Sequence, residues 1–289
     1  MIMEEKTEAG FKTAVIGLGI IGGSMAYGLR DFKGGTVVGC DMNSKVRESA
    51  EACGAVERCF SDAGDAIEDA DLVVIATYPD SVVQIVKENR ARFKSGAVIT
   101  DICGVKTRIS KEITEALPEG TYYVGSHPMA GKEVEGFENA EPDLFCGCGF
   151  IIVPSDKSDE SAVLLVREMA EYLGAARIAV STPAEHDAII AYTSDLMHVS
   201  ASALCLNFND DMNLAYTAGA FRDCTRIALI NPKLWTELFL ENADYTVGEI
   251  DRYIESLNKF REAIDKRDGK GLYELLSHVR ENKINILDR

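Results

Sequence analysis

The sequence is short of tryptophan, histidine and proline, and short of positive charge. Among 289 residues there are one Trp, four His and seven Pro, and 30 Lys and Arg stand against 47 Asp and Glu, a net charge of −17. So acidic a chain repels phosphate backbones and anionic headgroups, so neither nucleic acid nor a membrane is expected as a partner. The N-terminal Met1-Ile-Met-Glu-Glu-Lys6 lacks a signal-peptide core, and no apolar run reaches membrane-spanning length. The eight cysteines show no CxxC and no zinc-like Cys/His spacing. No metal site is expected, and the reading is a cytoplasmic protein with free thiols. Composition is otherwise that of an ordinary globular chain, 46% apolar and 27% charged, with length for about two domains.

What is present begins with Thr13-Ala-Val-Ile-Gly17-Leu-Gly19-Ile20-Ile21-Gly22. A β-branched run meets glycines at the spacing G-x-G-x-x-G, and a helical pattern follows. Gly17 permits the tight turn, Gly19 lets the backbone approach a pyrophosphate, and Gly22 lets the helix pack close to the strand. A second strand, Thr36–Cys40, ends at Asp41, 19 residues beyond Gly22 (41 − 22). An acid there hydrogen-bonds the ribose 2′-hydroxyl and favours NAD over NADP. Strand, glycines, helix, strand and acid together point to a dinucleotide site.

From 13 to 181, apolar runs alternate with helical patterns. Strands are expected at Thr13–Ile16, Thr36–Cys40, Asp71–Ala76, Ala97–Asp101, Tyr122–Val124, Phe150–Val153 and Arg177–Val180. That alternation reads as α/β, a Rossmann-type doubly wound sheet whose ligands bind at the carboxyl ends of the strands. After the third strand, Thr77 and Pro79 turn the chain over the cofactor edge. After the fourth come Asp101 and Lys106, which read equally as a simple ion pair or as groups facing the nicotinamide. After the fifth comes Ser126-His127-Pro-Met-Ala-Gly131-Lys132-Glu133. A histidine at a strand end, before Pro and Gly, is matched to proton transfer rather than to core packing.

Beyond Thr182 no strands are expected, and helical patterns run over 185–207, about 210–228, 231–264 and 270–286. Thr182, Pro183 and Glu185 form a helix-start signal. The boundary is placed there: 1–181 nucleotide-binding, 182–289 an all-α substrate-binding and dimerisation domain. Arg222 and Arg226 in an apolar helical segment suggest an anionic ligand, or else ion pairs with Asp223 or Glu237. His198 shares a helix face with Asp195, and reads evenly as core or site. Trp235 reads as a packing anchor or as a wall of the same cleft.

The glycine fingerprint, Gly125-Ser-His127-Pro-Met-Ala-Gly131-Lys-Glu133, Asp195-Leu-Met-His198 and Phe221-Arg-Asp-Cys-Thr-Arg226-Ile-Ala together resemble the prephenate/arogenate dehydrogenases of tyrosine biosynthesis. The resemblance runs from about residue 11 to 260. It implies NAD-dependent oxidative decarboxylation of prephenate to 4-hydroxyphenylpyruvate, with arogenate as the alternative substrate, in a homodimer. It implies His127 as the catalytic base, Arg226 and His198 as substrate contacts, and Lys132 and Glu133 at the entrance. Cofactor contacts are expected from Gly17, Gly19, Ile20, Ile21, Gly22, Asp41, Thr77, Pro79 and Asp101. Three positions depart from the family pattern. Gly104 stands where a serine is common, and Ser126 is the candidate to supply its hydroxyl. Asp195 replaces a histidine, where a carboxylate would either favour the amino group of arogenate or point away and pair with a cation, and Met197 replaces a proline. At 289 residues there is no length for an appended regulatory domain or fused mutase, so tyrosine control would act at the active site or dimer interface. Two rivals differ in the residues they need. A β-hydroxyacid dehydrogenase would place a catalytic lysine in the helical half. A non-catalytic NAD sensor would not need His127, His198 and Arg226 together.

Overall fold

The computed structural model describes residues 10–208 and 213–287. Its centre is an eight-stranded sheet in the order β3-β2-β1-β4-β5-β6-β7-β8. The strands are β1 (Lys12–Ile16), β2 (Thr36–Cys40), β3 (Arg58–Phe60), β4 (Leu72–Ile75), β5 (Val98–Asp101), β6 (Tyr122–Met129), β7 (Gly149–Pro154) and β8 (Arg177–Val180). All neighbours are parallel except β6 and β7. β1 and β4, at the centre, are apolar runs buried on both faces, as a sheet covered by helices on each side requires. The covering helices are α1 (Ile20–Gly28), α2 (Ser44–Ala52), α3 (Ala63–Ile67), α4 (Pro79–Asn89), α5 (Thr107–Ala116) and α6 (Glu160–Tyr172). This is the expected doubly wound architecture, with two differences.

The β3–α3 unit was not expected. β3 is three residues of edge strand with no apolar alternation, and α3 is one turn capped by Asp62. Neither has the length that makes a period visible. The second difference is that the expected strand Tyr122–Val124 runs on to Met129, with Ser126, His127 and Pro128 inside it. β6 pairs with β5 only at Tyr122 and Tyr123, so from Gly125 onward it has a strand partner on one side alone. A proline's missing N–H then costs no ladder bond.

The helical half starts where expected. Thr182 and Glu185 form a reciprocal capping box and Pro183 occupies the first turn of α7 (Pro183–Ile190). A π segment, Ala191–Asp195, joins α7 without a break to α8 (Leu196–Leu206). This 24-residue rod is by length and composition apolar enough to cross a membrane, which the sequence reading did not anticipate. It nevertheless carries buried Asp187 and Asp195, both hydrogen-bonded to other elements. The expected helix over about 210–228 lies partly outside the described residues; what is described is a 3-10 turn at Leu214–Tyr216, then α9 (Gly219–Thr225), followed by a second 3-10 turn at Arg226–Ala228. The expected helix 231–264 is two, α10 (Pro232–Glu241) and α11 (Ala243–Asp265), because the Asn242 side chain donates to Asp187 O and Asp195 Oδ2 and holds a kink there. The last helix is α12 (Gly269–Leu287). Tyr253, Ile254, Leu257 and Ile264 of α11 and Tyr273, Leu276 and Val279 of α12 are exposed apolar side chains.

Candidate active site

A cavity of about 800 Å³ lies between the carboxyl edge of the sheet and the helical half. The glycine turn forms its first wall. Gly17 sits at φ +87°, where a Cβ would strike the Ala76 carbonyl at 2.5 Å, so the turn into α1 needs glycine. Gly19, Ile20, Ile21 and Gly22 line the cavity beside Thr77, Tyr78 and Pro79. A Cβ at Gly19 would meet nothing within 4 Å, and no side chain caps α1. The open cradle and the bare helix N-terminus fit a pyrophosphate, which takes N–H donors and a positive dipole end. Asp41 lies at the end of β2, where its Oδ2 accepts from Leu18 N–H (2.9 Å) and its Oδ1 from Asn43 N–H (2.8 Å), holding the turn.

His127 faces the cavity from β6. Its Nδ1 is 2.9 Å from His186 Nε2, and His186 Nδ1 is 2.8 Å from Asp187 Oδ1. Asp187 also accepts from the backbone N–H of Lys106 and Thr107, each at 2.8 Å, and so caps α5 from a different helix. Burial, then His186, then the Lys106 charge hold the His127 pKa well below its usual value. Burial is the main cause lowering that of His186 as well, against the pull of Asp187.

Four expected contacts are not among the residues that line the cavity: Gly17 and Asp41, which build the turn behind it, and Ser126 and Asp101. Period-two alternation along β6 turns Ser126 inward when His127 turns out. Ser126 is fully buried, donates to Asp101 O (2.9 Å) and lies 3.0 Å from Thr100 Oγ1, so its hydroxyl does not replace one at Gly104. A Cβ on Gly104 would lie 3.3 Å from Leu238 Cδ2, so that space is filled by Leu238. Asp101 is also fully buried, accepting from Lys106 Nζ (2.7 Å), Tyr123 Oη (2.6 Å) and Cys103 N–H (2.8 Å). Of the two readings of Asp101 and Lys106, the ion pair is the one observed, behind the cavity rather than at the surface. Gly125 makes room for the Lys106 stem, whose Cδ would be 3.0 Å from any Cβ there.

The helical half supplies the opposite wall. Ser194, Asp195, His198, Arg226, Asn231, Leu234 and Trp235 line it. His198 donates Nδ1–H to Ser194 O (2.9 Å), with a pKa lowered chiefly by burial. Arg226 pairs across the mouth with Glu133, and Lys132 with Glu141 at 2.5 Å. Arg222 is exposed and lies off the cavity. Asp195 borders the cavity, but its Oδ2 accepts from Asn242 Nδ2 (2.8 Å) and Thr246 Oγ1 (2.9 Å), and burial raises its pKa. Those bonds face α11, so Asp195 is a structural acid and not evidence for an amino group. Asn231 reaches Tyr78 Oη (3.1 Å) and Arg108 reaches Glu241 (2.6 Å), tying the two walls together. His186, Asp187 and Ser194 were not singled out from the sequence. An adjacent His-Asp pair on an otherwise apolar helix was the available signal.

Glycine turn, bare helix end and a cavity-facing histidine, closed over by helices, define a Rossmann-type nucleotide-binding enzyme with an all-α second domain. The family profile for the prephenate dehydrogenase nucleotide-binding domain matches residues 25–179, and that for the prephenate dehydrogenase dimerization domain matches 182–278. The chain belongs to the prephenate dehydrogenase family. A cyclohexadienyl dehydrogenase of Zymomonas mobilis is 31% identical over 93% of each chain. The prephenate dehydrogenase of Bacillus subtilis is 27% identical over 92% of this chain and 73% of its own length. Among solved structures, prephenate dehydrogenase from A. aeolicus in complex with hydroxyphenyl propionate and NAD+ superposes with a TM-score of 0.86 at 28% identity, covering 97% of this chain and 100% of that one. Synechocystis arogenate dehydrogenase superposes at 0.81 with 25% identity, over 96% and 100%.

Proposed function

We propose that this chain is an NAD-dependent prephenate dehydrogenase, converting prephenate to 4-hydroxyphenylpyruvate and CO₂ in tyrosine biosynthesis. The observation that carries the reading is His127, whose Nδ1 is engaged from behind and whose Nε2 faces a cavity bounded by the glycine turn on one side and His198 and Arg226 on the other. Residues 1–181 hold the cofactor and 182–289 close over the substrate.

NAD, bound on the glycine turn with Asp41 at its ribose, supplies the hydride acceptor. Neutral His127 takes the ring hydroxyl proton at Nε2. Arg226, released from Glu133, takes a substrate carboxylate in its two-pronged grip. Lys132 and Glu133 stand at the mouth. Loss of the ring carboxylate as CO₂ completes an aromatic ring, which draws the reaction forward. The exposed apolar faces of α11 and α12 meet a second copy, giving a homodimer. Nucleic acid and membrane are not partners of so acidic a chain, and eight free thiols suit the cytoplasm.

One observation favours arogenate as the second reading. With Nδ1–H given to Ser194 O, neutral His198 offers only an acceptor to the cavity. That suits an ammonium and not a keto oxygen.

The test is purified protein with NAD or NADP, each against prephenate and arogenate, followed by absorbance of the reduced cofactor. Turnover with NAD and prephenate is expected. Silence in all four, with NAD binding shown separately, overturns the reading. His127→Asn is expected to lower turnover by about a hundredfold or more while NAD binding persists.

A further inference from the structure

Behind His127 stands a second buried histidine whose ring nitrogens, among the described residues, meet His127 and Asp187, and the chemistry above does not use it. His186 is 1% exposed and Asp187 3%. Three atoms decide how the protons lie. Asp187 accepts from two backbone N–H groups as well as from the imidazole, and these hydrogen bonds outweigh burial and lower its pKa, so it is a carboxylate that only accepts. The proton between Asp187 and His186 therefore sits on His186 Nδ1. Neutral His186 then has its lone pair on Nε2, and across 2.9 Å it accepts from His127 Nδ1–H. This leaves the His127 lone pair on Nε2, which has no partner among the described residues and faces the cavity.

We propose that His186 and Asp187 are positioning residues that lock His127 in the one neutral tautomer able to act as a base, and that share the charge it gains. The inference rests on the function proposed above. When the substrate O–H bond breaks, its proton forms the Nε2–H bond of His127, the C–H electron pair leaves with the hydride, and the new imidazolium donates more strongly through Nδ1 to His186. The other charges facing the pair are Lys106 and Asp101, fully buried and bonded to each other. Burial, with the Lys106 charge behind it, opposes protonation of both rings and at His186 outweighs Asp187 and Asp101, so the pair rests neutral.

The test is ¹⁵N-histidine NMR of the substrate-free protein, with the His127 signals assigned by their loss in His127→Asn. A proton on Nδ1 and none on Nε2 is expected; the reverse overturns the proposal without any further variant. Asp187→Asn keeps an acceptor for the α5 N–H groups but presents an amide N–H to His186. Both tautomers then reverse, and His127 shows Nε2–H. Its kcat is expected to fall about a hundredfold or more with KM within about threefold, since wrong-tautomer changes in such relays cost up to about 10⁴-fold. A kcat within about threefold of wild type overturns the proposal. His186→Gln keeps an acceptor for His127 Nδ1–H and is expected to be at least tenfold more active than His186→Phe; equal kcat values, with NAD binding intact in both, overturn the role of His186. If no substrate turns over and His127 still carries its proton on Nδ1, the proposed function fails and the tautomer lock stands.

Discussion

Trp235 lies against His198, ring centroids 3.7 Å apart and planes 32° from parallel. The contact fixes the imidazole, whose Nδ1 is already tied to Ser194 O, at a single angle to the cavity. Phe239 backs the indole at 5.1 Å. Replacing Trp235 with Ala removes this stacking contact, worth about 0.5–1.5 kcal/mol. The expected result is a KM for the substrate raised roughly three- to tenfold with NAD affinity unchanged, read from initial rates and from cofactor fluorescence titration.

The two glycines that frame the start of α1 are expected to fail in different ways. A Cβ on Gly22 would sit 1.8 Å from Gly17 O and 2.9 Å from Ala76 Cβ, so Gly22→Ala cannot be accommodated without moving the helix. Gly19→Ala meets no protein atom within 4 Å, but its methyl points into the space a pyrophosphate needs. Thermal melting is expected to collapse for Gly22→Ala and to remain close to wild type for Gly19→Ala. NAD affinity in Gly19→Ala is expected to fall by about tenfold or more.

His127 and His186 both have pKa values below the usual 6.5. Below about pH 6.5 the unfolded chain binds protons that the folded chain refuses, so stability rises with pH through that window. It is fully present above about 6.5 and drains away as the solution is acidified towards the folded-state values. Urea midpoints at about pH 5 and about pH 8 test this, and His186→Gln is expected to flatten the difference.

Lys106 and Asp101 are fully buried and paired, which makes either one costly to remove alone. Lys106→Met leaves the Asp101 carboxylate with Tyr123 Oη and one backbone N–H and no cation. A loss of about 3–5 kcal/mol in unfolding free energy is expected, partly recovered when Asp101→Asn is added. Chemical denaturation of the single and double variants measures both.

Much of this was legible in the chain, and what was not has identifiable reasons. The glycine turn, the acid at 41, the capping box at Thr182 and the cavity-facing His127 are local signals carried by a few adjacent residues. Ser126 reads as a site residue in the sequence because Gly125 and Pro128 look like the end of a strand, which hides the alternation that sends neighbouring side chains to opposite faces. Asp101 and Lys106 left two readings open, since no spacing rule tells a buried pair from a ligand contact. The β3–α3 unit is too short to carry a period. His186 and Asp187 act through partners 59 and 80 residues away, a relationship that exists only once the sheet and the rod are packed together.

The π segment sets the rotational phase of the rod that spans Pro183–Leu206. His186 and His198 are twelve residues apart (198 − 186), and twelve steps of about 100° would leave them about 120° apart around the axis. Ala191–Asp195 winds more slowly, because its bonds close on the fifth residue rather than the fourth, and much of that angle is taken back. One histidine then stands behind His127 while the other lines the far wall of the cavity. A shift of one residue in length between them would throw His198 out of step by about 100°, with every side chain retained, so this rod tolerates changes of letter better than changes of count.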